Sequence, residues 1–180
     1  MTPNNAIVLT IIIVSFFLMN DLSAFFQIPA VALAVLGSGF LLLVGLLTGV
    51  WKYTAIRASE KSRAPYYVDI SHRASLMYSF SALVLAVLAG LSVWSPMVNF
   101  WAVLANLVYF SLAIGTYVIH GALQDTQNQL ARPHKLGKAT LPNFLISGFM
   151  WSLIVAEVGG TLVLFSGAVV RLWPVVVSVF

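Results

Sequence analysis

Glu157 is the residue whose type and position most directly suggest chemistry. It lies inside an apolar run over residues 142–167, about ten residues or 15 Å from the end of that run at helical rise. A carboxyl group so placed is costly and usually faces a partner or a water-filled cavity. Asn106, Tyr109 and Ser92 fall at a similar depth in neighbouring runs. The sequence therefore predicts a polar site of these four residues that carries a proton or orients a ligand. The alternative is a neutral, structurally hydrogen-bonded glutamic acid.

Two histidines stand at the ends of neighbouring apolar runs. His72 precedes the run over residues 74–94, and His120 closes the run over residues 100–121. Because helices joined by a short turn are antiparallel, the two imidazoles are expected at one level. Neutral imidazole is a common ligand of metals and haem, which makes both residues candidate metal or haem ligands. The alternative is hydrogen bonding to phosphate or backbone groups.

A short polar segment after His120 is rich in groups that both donate and accept hydrogen bonds. It includes Gln124, Asp125, Gln127 and Asn128. Such groups predict a surface that docks a partner or caps the end of a helical bundle. The alternative is a solvated turn.

Several catalytic signatures are absent from the sequence. There is no cysteine, which excludes disulfides, thiolate metal sites, iron–sulfur clusters and cysteine nucleophiles. The phosphate-binding loop of ATPases, the H-E-x-x-H zinc motif and the G-x-S-x-G serine motif are also missing. ATP-driven transport and the familiar hydrolase classes therefore have no support.

The composition determines which environment can hold such residues. Of 180 residues 61% are hydrophobic and only 8% are charged, a surface that lipid can solvate and water cannot. The predicted fold class is all-α, a polytopic transmembrane helical bundle that forms one domain over residues 1–180. Its first partner is the lipid bilayer. The formal charge of +4 is assigned to loops and not to nucleic-acid binding.

Five apolar runs must position these residues. The runs cover about residues 6–26, 29–51, 74–94, 100–121 and 142–167, the polar loops cover 52–73 and 122–141, and an apolar tail covers 171–180. The last four runs are long enough to cross about 30 Å of hydrocarbon. The first is of marginal length and is alternatively interfacial or re-entrant, so four or five spans are predicted. The third and fourth runs are joined by a few residues, which predicts a tight antiparallel hairpin. The tail is too short to span and is expected at the interface or against the bundle.

Glycines in the second run predict a helix-packing face. Gly37, Gly45 and Gly49 are spaced so that two helix backbones can approach closely. Such a face suits packing within the chain or between copies of it.

The basic residues predict the orientation. All lysines and arginines except Arg171 fall in or beside the two polar loops, where His134 is expected to be solvated. The positive-inside rule predicts that both loops lie on the cytoplasmic side of the membrane. The membrane is expected to be a plasma membrane or a bacterial inner membrane.

Three functions fit these features. The first is a small binding or accessory subunit of a membrane assembly, in contact with other subunits or further copies, that holds a lipophilic or protonatable ligand near Glu157. The second is a membrane enzyme acting on an apolar small molecule, with haem or a metal at His72 and His120. The third is a small proton-coupled carrier or channel that depends on Glu157.

Overall fold

Four long helices account for most of the chain in the computed structural model, which describes residues 22–179. The elements are α1 (Pro29–Ala58), α2 (Tyr66–Leu91), α3 (Pro96–Leu123), β1 (His134–Leu136), β2 (Ala139–Leu141) and α4 (Asn143–Val177). All four helices are long and apolar enough to cross a membrane, which confirms the predicted transmembrane helical bundle. Residues 22–26 are also helical. The rest of the first apolar run lies outside the described residues, so whether it spans stays a prediction.

The helices begin where the sequence supplies suitable residues. Pro29 opens α1 and Pro96 opens α3, at a position where the missing backbone N–H costs nothing. The hydroxyl of Ser95 accepts a hydrogen bond from the backbone N–H of Val98 at 3.4 Å and caps α3. Only residues 92–95 separate α2 from α3, so these helices form the predicted antiparallel hairpin.

Small residues bring α1 and α2 into close contact. A Cβ atom added at Gly45 would overlap Leu76, and one added at Gly49 would lie 2.9 Å from the His72 ring. Farther along, the hydroxyl of Ser38 donates to the carbonyl of Ser79 at 2.8 Å. Between helices in lipid, close approach and buried hydrogen bonds supply the attraction that hydrophobicity cannot.

The centre of the bundle is built largely of alanine and branched aliphatic residues. Gly37 of α1 faces α3, where an added Cβ atom would lie 2.7 Å from Leu107. Fully or nearly fully buried residues from all four helices form the core: Ala30, Val31, Ala34, Leu41, Ala82, Leu85, Ala86, Ala89, Ala102, Val103, Leu107, Phe110, Ile114 and Leu164. The three glycines predicted to pack thus face neighbouring helices of the same chain.

All four helices extend beyond the predicted apolar runs, and α2 and α4 extend the farthest. The start of α2 lies within the predicted polar loop 52–73, and α4 continues to Val177 through Pro174, where a separate tail was expected. Proline removes one backbone hydrogen bond. The loss of that one bond does not end α4.

The second polar loop contains a small hairpin that the apolar pattern does not indicate. Strands β1 and β2 are antiparallel, with His134 opposite Leu141 and Leu136 opposite Ala139. Gly137 has a φ of +59°, which suits the first central residue of a two-residue turn. Both polar loops lie at one end of the bundle, because the backbone N–H of Gln129 donates to the Tyr67 hydroxyl at 2.6 Å. We call this the basic end.

Candidate functional site

A groove lies between α2, α3 and α4 on the outside of the bundle. Its volume is about 540 Å³. Phe80, Phe110 and Leu162 contribute apolar walls. Phe80 is 68% exposed and Leu162 is 58% exposed, so the mouth of the groove opens towards the surrounding lipid.

Four side chains bring polar atoms to this groove. Tyr78 and Ser81 come from α2, whereas Glu157 and Thr161 come from α4. Within each pair the residues are three or four apart, which places them on one face of their helix. The groove therefore combines one carboxyl group and three hydroxyl groups with a wide apolar surface.

Glu157 is the only carboxyl group among the described residues that line the groove. Counting from Asn143 at the start of α4 places it about 21 Å along the helix, within hydrocarbon about 30 Å thick. The side chain is half-buried, and within residues 22–179 its Oε1 atom is buried and makes no hydrogen bond. An acceptor without a donor is costly at this depth, so the site favours a bound proton or a ligand that donates.

Asn106 connects α3 to the same part of α4. It is fully buried, and its Oδ1 atom accepts a hydrogen bond from the Thr161 hydroxyl at 3.2 Å. Its Nδ2 atom donates to the Ala102 carbonyl at 2.9 Å and lies against Gly160, where a Cβ atom would overlap it. Asn106 thus holds the turn of α4 next to Glu157.

Tyr109 and Ser92, the other two members of the predicted polar site, have different neighbours. The Tyr109 ring lies 6.0 Å from the ring of Phe149, two turns of α4 before Glu157. Ser92 lies against Gly167, ten residues beyond Glu157 and about 15 Å away along the helix. Among the residues that line the groove, neither is present.

Sequence reasoning missed Tyr78, Ser81 and Thr161. Each is a neutral polar residue inside an apolar run, and single hydroxyl groups are common in membrane helices. The spacing of Tyr78 and Ser81, one turn apart, was the available signal. It did not say which neighbouring helix they face.

The two candidate haem or metal ligands have separate partners. The Nδ1–H of His72 donates to the Gly45 carbonyl of α1 at 2.8 Å. His120 is buried and donates from Nδ1 to the Asp125 carboxylate at 2.7 Å, with its ring 5.3 Å from that of Tyr67. Ligation of a metal or haem by this pair stays a prediction.

The residues predicted as a partner surface divide into two groups. Gln124, Gln127 and Asn128 are exposed. Asp125 points inward, with 5% of its side chain exposed, and its Oδ2 atom accepts from the backbone N–H of Gly137 at 2.5 Å. The predicted docking surface is thus available through its three amides, while Asp125 connects α3 to the hairpin.

Burial and hydrogen bonding act in opposite directions on Asp125, which lies outside the membrane-spanning helices. Burial alone would raise the pKa of this carboxyl group. Hydrogen bonds from the Gly137 N–H and from His120 outweigh burial, so the pKa lies below its ordinary value. Asp125 is therefore ionised at neutral pH.

His134 was expected to be solvated, and that expectation is wrong. The side chain is 6% exposed. Its Nδ1 atom lies 3.3 Å from the Gln129 carbonyl and its Nε2 atom lies 3.1 Å from Oδ1 of Asn143. The hairpin turns the ring towards the start of α4, which a loop without regular structure would not do.

Neither a metal-binding cluster among the described residues nor a match to a known protein indicates an activity. Within residues 22–179 no three His, Asp or Glu side chains come together in a metal-binding group. Comparison of the chain with protein-family models, with curated proteins and with solved structures found no match.

Proposed function

We propose that this membrane protein is a small binding subunit that holds a lipophilic molecule by a donor group placed against Glu157. The observation that carries the proposal is that Glu157 lines a groove of about 540 Å³, while its Oε1 atom is buried and has no hydrogen-bond partner within residues 22–179. A donor that fills this place removes the cost of the unpaired acceptor.

The chemistry of the groove narrows the class of ligand. No Lys, Arg or His is among the described residues that line it, so an anionic ligand would meet a carboxyl group and no cation of this part of the chain. A long-chain amine or alcohol fits better, because its head donates to Glu157 and its chain covers apolar walls such as Phe80. The exposed mouth lets the ligand enter sideways from the bilayer.

A paired substitution tests the proposal. The probe is a fluorescent long-chain amine, compared with a fatty acid of equal chain length and the same fluorophore, and binding is measured on the protein in nanodiscs. Glu157→Gln removes the ability of this side chain to ionise at nearly constant volume. Glu60→Gln, at an exposed position after α1, is the matched control.

We expect Glu157→Gln to weaken amine binding about 10- to 150-fold, the range of one charge-assisted hydrogen bond. Glu60→Gln should bind like the parent protein, and the fatty acid should bind weakly to all three. Equal amine affinity for the parent and Glu157→Gln proteins would exclude the proposed role of this carboxyl group.

The subunit role is the second part of the proposal. Only 17% of the residues in the most apolar stretch of α4 are buried. This helix therefore offers most of its residues to lipid or to another membrane protein. The exposed amides of Gln124, Gln127 and Asn128 offer a second contact surface at the basic end. Purification from native membranes in a mild detergent tests this role, because a monomer that migrates alone would contradict it.

A proton-coupled carrier is the second candidate. The specific observation in its favour is that Glu157 lies inside a helix apolar enough to cross a membrane, and its Oε1 atom has no hydrogen-bond partner among residues 22–179, as a proton-carrying group would. The protein would then move protons across the membrane of liposomes, which a pH-sensitive dye inside them reports as a change of internal pH. Glu157→Gln would abolish this proton flux. Equal flux with that variant would rule the carrier out.

A further inference from the structure

Two shallow cavities at the basic end share one wall. The first, of about 180 Å³, lies between the end of α3, the hairpin and the start of α4. The second, of about 240 Å³, lies on the other side of the same wall. Leu130, Ile146 and Met150 line both cavities. The two cavities thus have room for two apolar chains, one on each side of this wall.

Each cavity has its own cation. Lys135 lines the first cavity and Arg132 lines the second. In the part of the chain that the structure describes, no Asp or Glu lines either cavity. Within residues 22–179 neither cation forms an ion pair, whereas Lys52 and Arg73 both pair with Asp69. Arg132 and Lys135 are therefore available to an anion from outside the chain.

The segment that carries these cations is held in place by buried polar contacts. The Asp125 carboxylate accepts from Gly137 in the hairpin turn. His134, the first residue of β1, contacts the Gln129 carbonyl and the Asn143 side chain. Because Lys135 follows His134 directly in a paired strand, its backbone position is fixed before any ligand arrives, which reduces the entropy lost on binding.

The level of the cavities matches the edge of a bilayer. Ile146 and Met150 belong to the first two turns of α4, where the helix leaves the polar loop. Trp151 lines the second cavity and is 67% exposed, as interfacial tryptophans are. Lipid phosphates lie at this depth, with their acyl chains directed along the helices.

We propose that the basic end binds an anionic phospholipid whose phosphate lies between Arg132 and Lys135 and whose two acyl chains occupy the cavities on either side of Ile146 and Met150. Basic pockets beside membrane helices recognise such head groups through charge, and apolar walls hold the chains. This site is separate from Glu157 and does not depend on the ligand proposed there.

Native mass spectrometry of the full chain, released from detergent with defined lipids, tests the proposal. The probes are phosphatidylglycerol and phosphatidylcholine with identical acyl chains. Arg132→Gln combined with Lys135→Gln removes the two cations. Arg57→Gln combined with Lys61→Gln removes equal charge from the other polar loop, where both residues are exposed, and is the matched control.

The parent protein and the control should retain phosphatidylglycerol about 30-fold better than the Arg132 and Lys135 double variant does, and phosphatidylcholine should bind weakly to all three. If the double variant loses helical content, the single variant Arg132→Gln is measured instead, with a loss of about fivefold expected. Equal losses in both double variants would overturn the proposal, because they would indicate a general charge effect. Displacement of the lipid by millimolar inorganic phosphate would also overturn it in favour of a free-anion site.

Discussion

Gly160 is the position where a single methyl group should most disturb the helix pair that carries Glu157. A Cβ atom there would overlap Nδ2 of Asn106 and lie 2.8 Å from the carbonyl oxygen of Ala102. The Asn106 side chain is fully buried, and the carbonyl belongs to the backbone of α3, so neither can move away locally. Gly160→Ala must therefore push α4 away from α3.

The adjacent glycine supplies a control for this substitution. Among the described residues, and apart from the local backbone of α4 itself, a Cβ atom at Gly159 would have no heavy atom within 4 Å. Replacing glycine by alanine inside a helix is favourable by up to about 1 kcal/mol, so Gly159→Ala should be neutral or slightly stabilising. Overpacking costs about 1–3 kcal/mol. Because both variants gain the same helix propensity, they should differ by the overpacking cost of about 1–3 kcal/mol, with Gly160→Ala the less stable.

Unfolding in mixed micelles with increasing sodium dodecyl sulfate, followed by circular dichroism, measures the two free energies of unfolding under the same conditions. Gly160→Ala should also weaken amine binding at Glu157, because Glu157 lies one turn away on the displaced helix. If Gly160→Ala is as stable as Gly159→Ala, the close approach of α3 and α4 at this level is not what holds the pair together.

Two further predictions concern polar contacts between elements. Asp125→Asn should lower the free energy of unfolding by about 1.5–3 kcal/mol, the value of a hydrogen bond to a charged group, and hydrogen exchange at the Gly137 amide should become faster. Because the pKa of Asp125 is lowered from 3.8 in the folded protein, its stabilisation is complete above pH 3.8 and is lost only as the pH falls through the folded value. A difference between parent and variant that already disappears at pH 5 would contradict this assignment. Trp94→Phe should cost about 0.5–1.5 kcal/mol in the micelle assay, because the indole N–H donates to the Val163 carbonyl at 3.0 Å and the Ser166 hydroxyl at 3.1 Å. Unchanged stability would mean that other donors replace the indole.

The sequence was sufficient to predict the bundle. Long apolar runs can satisfy their backbone groups inside lipid only as helices, so their lengths and the short turn before Pro96 determined the number and order of the described helices. The positions of Gly45 and Gly49 also indicated where helices approach closely, because residues without bulky side chains leave room for a neighbour. These features depend on residue type and spacing along one segment.

The tertiary structure decided which polar groups meet. Counting residues gives the depth of a residue along the helix axis. Because successive side chains point about 100° apart around that axis, depth alone does not give the direction in which a side chain faces. Tyr109 therefore lies against Phe149, whereas Tyr78 shares the groove with Glu157. The hairpin that buries His134 depends in the same way on contacts between distant segments, Asp125 with Gly137 among them, which local patterns do not encode.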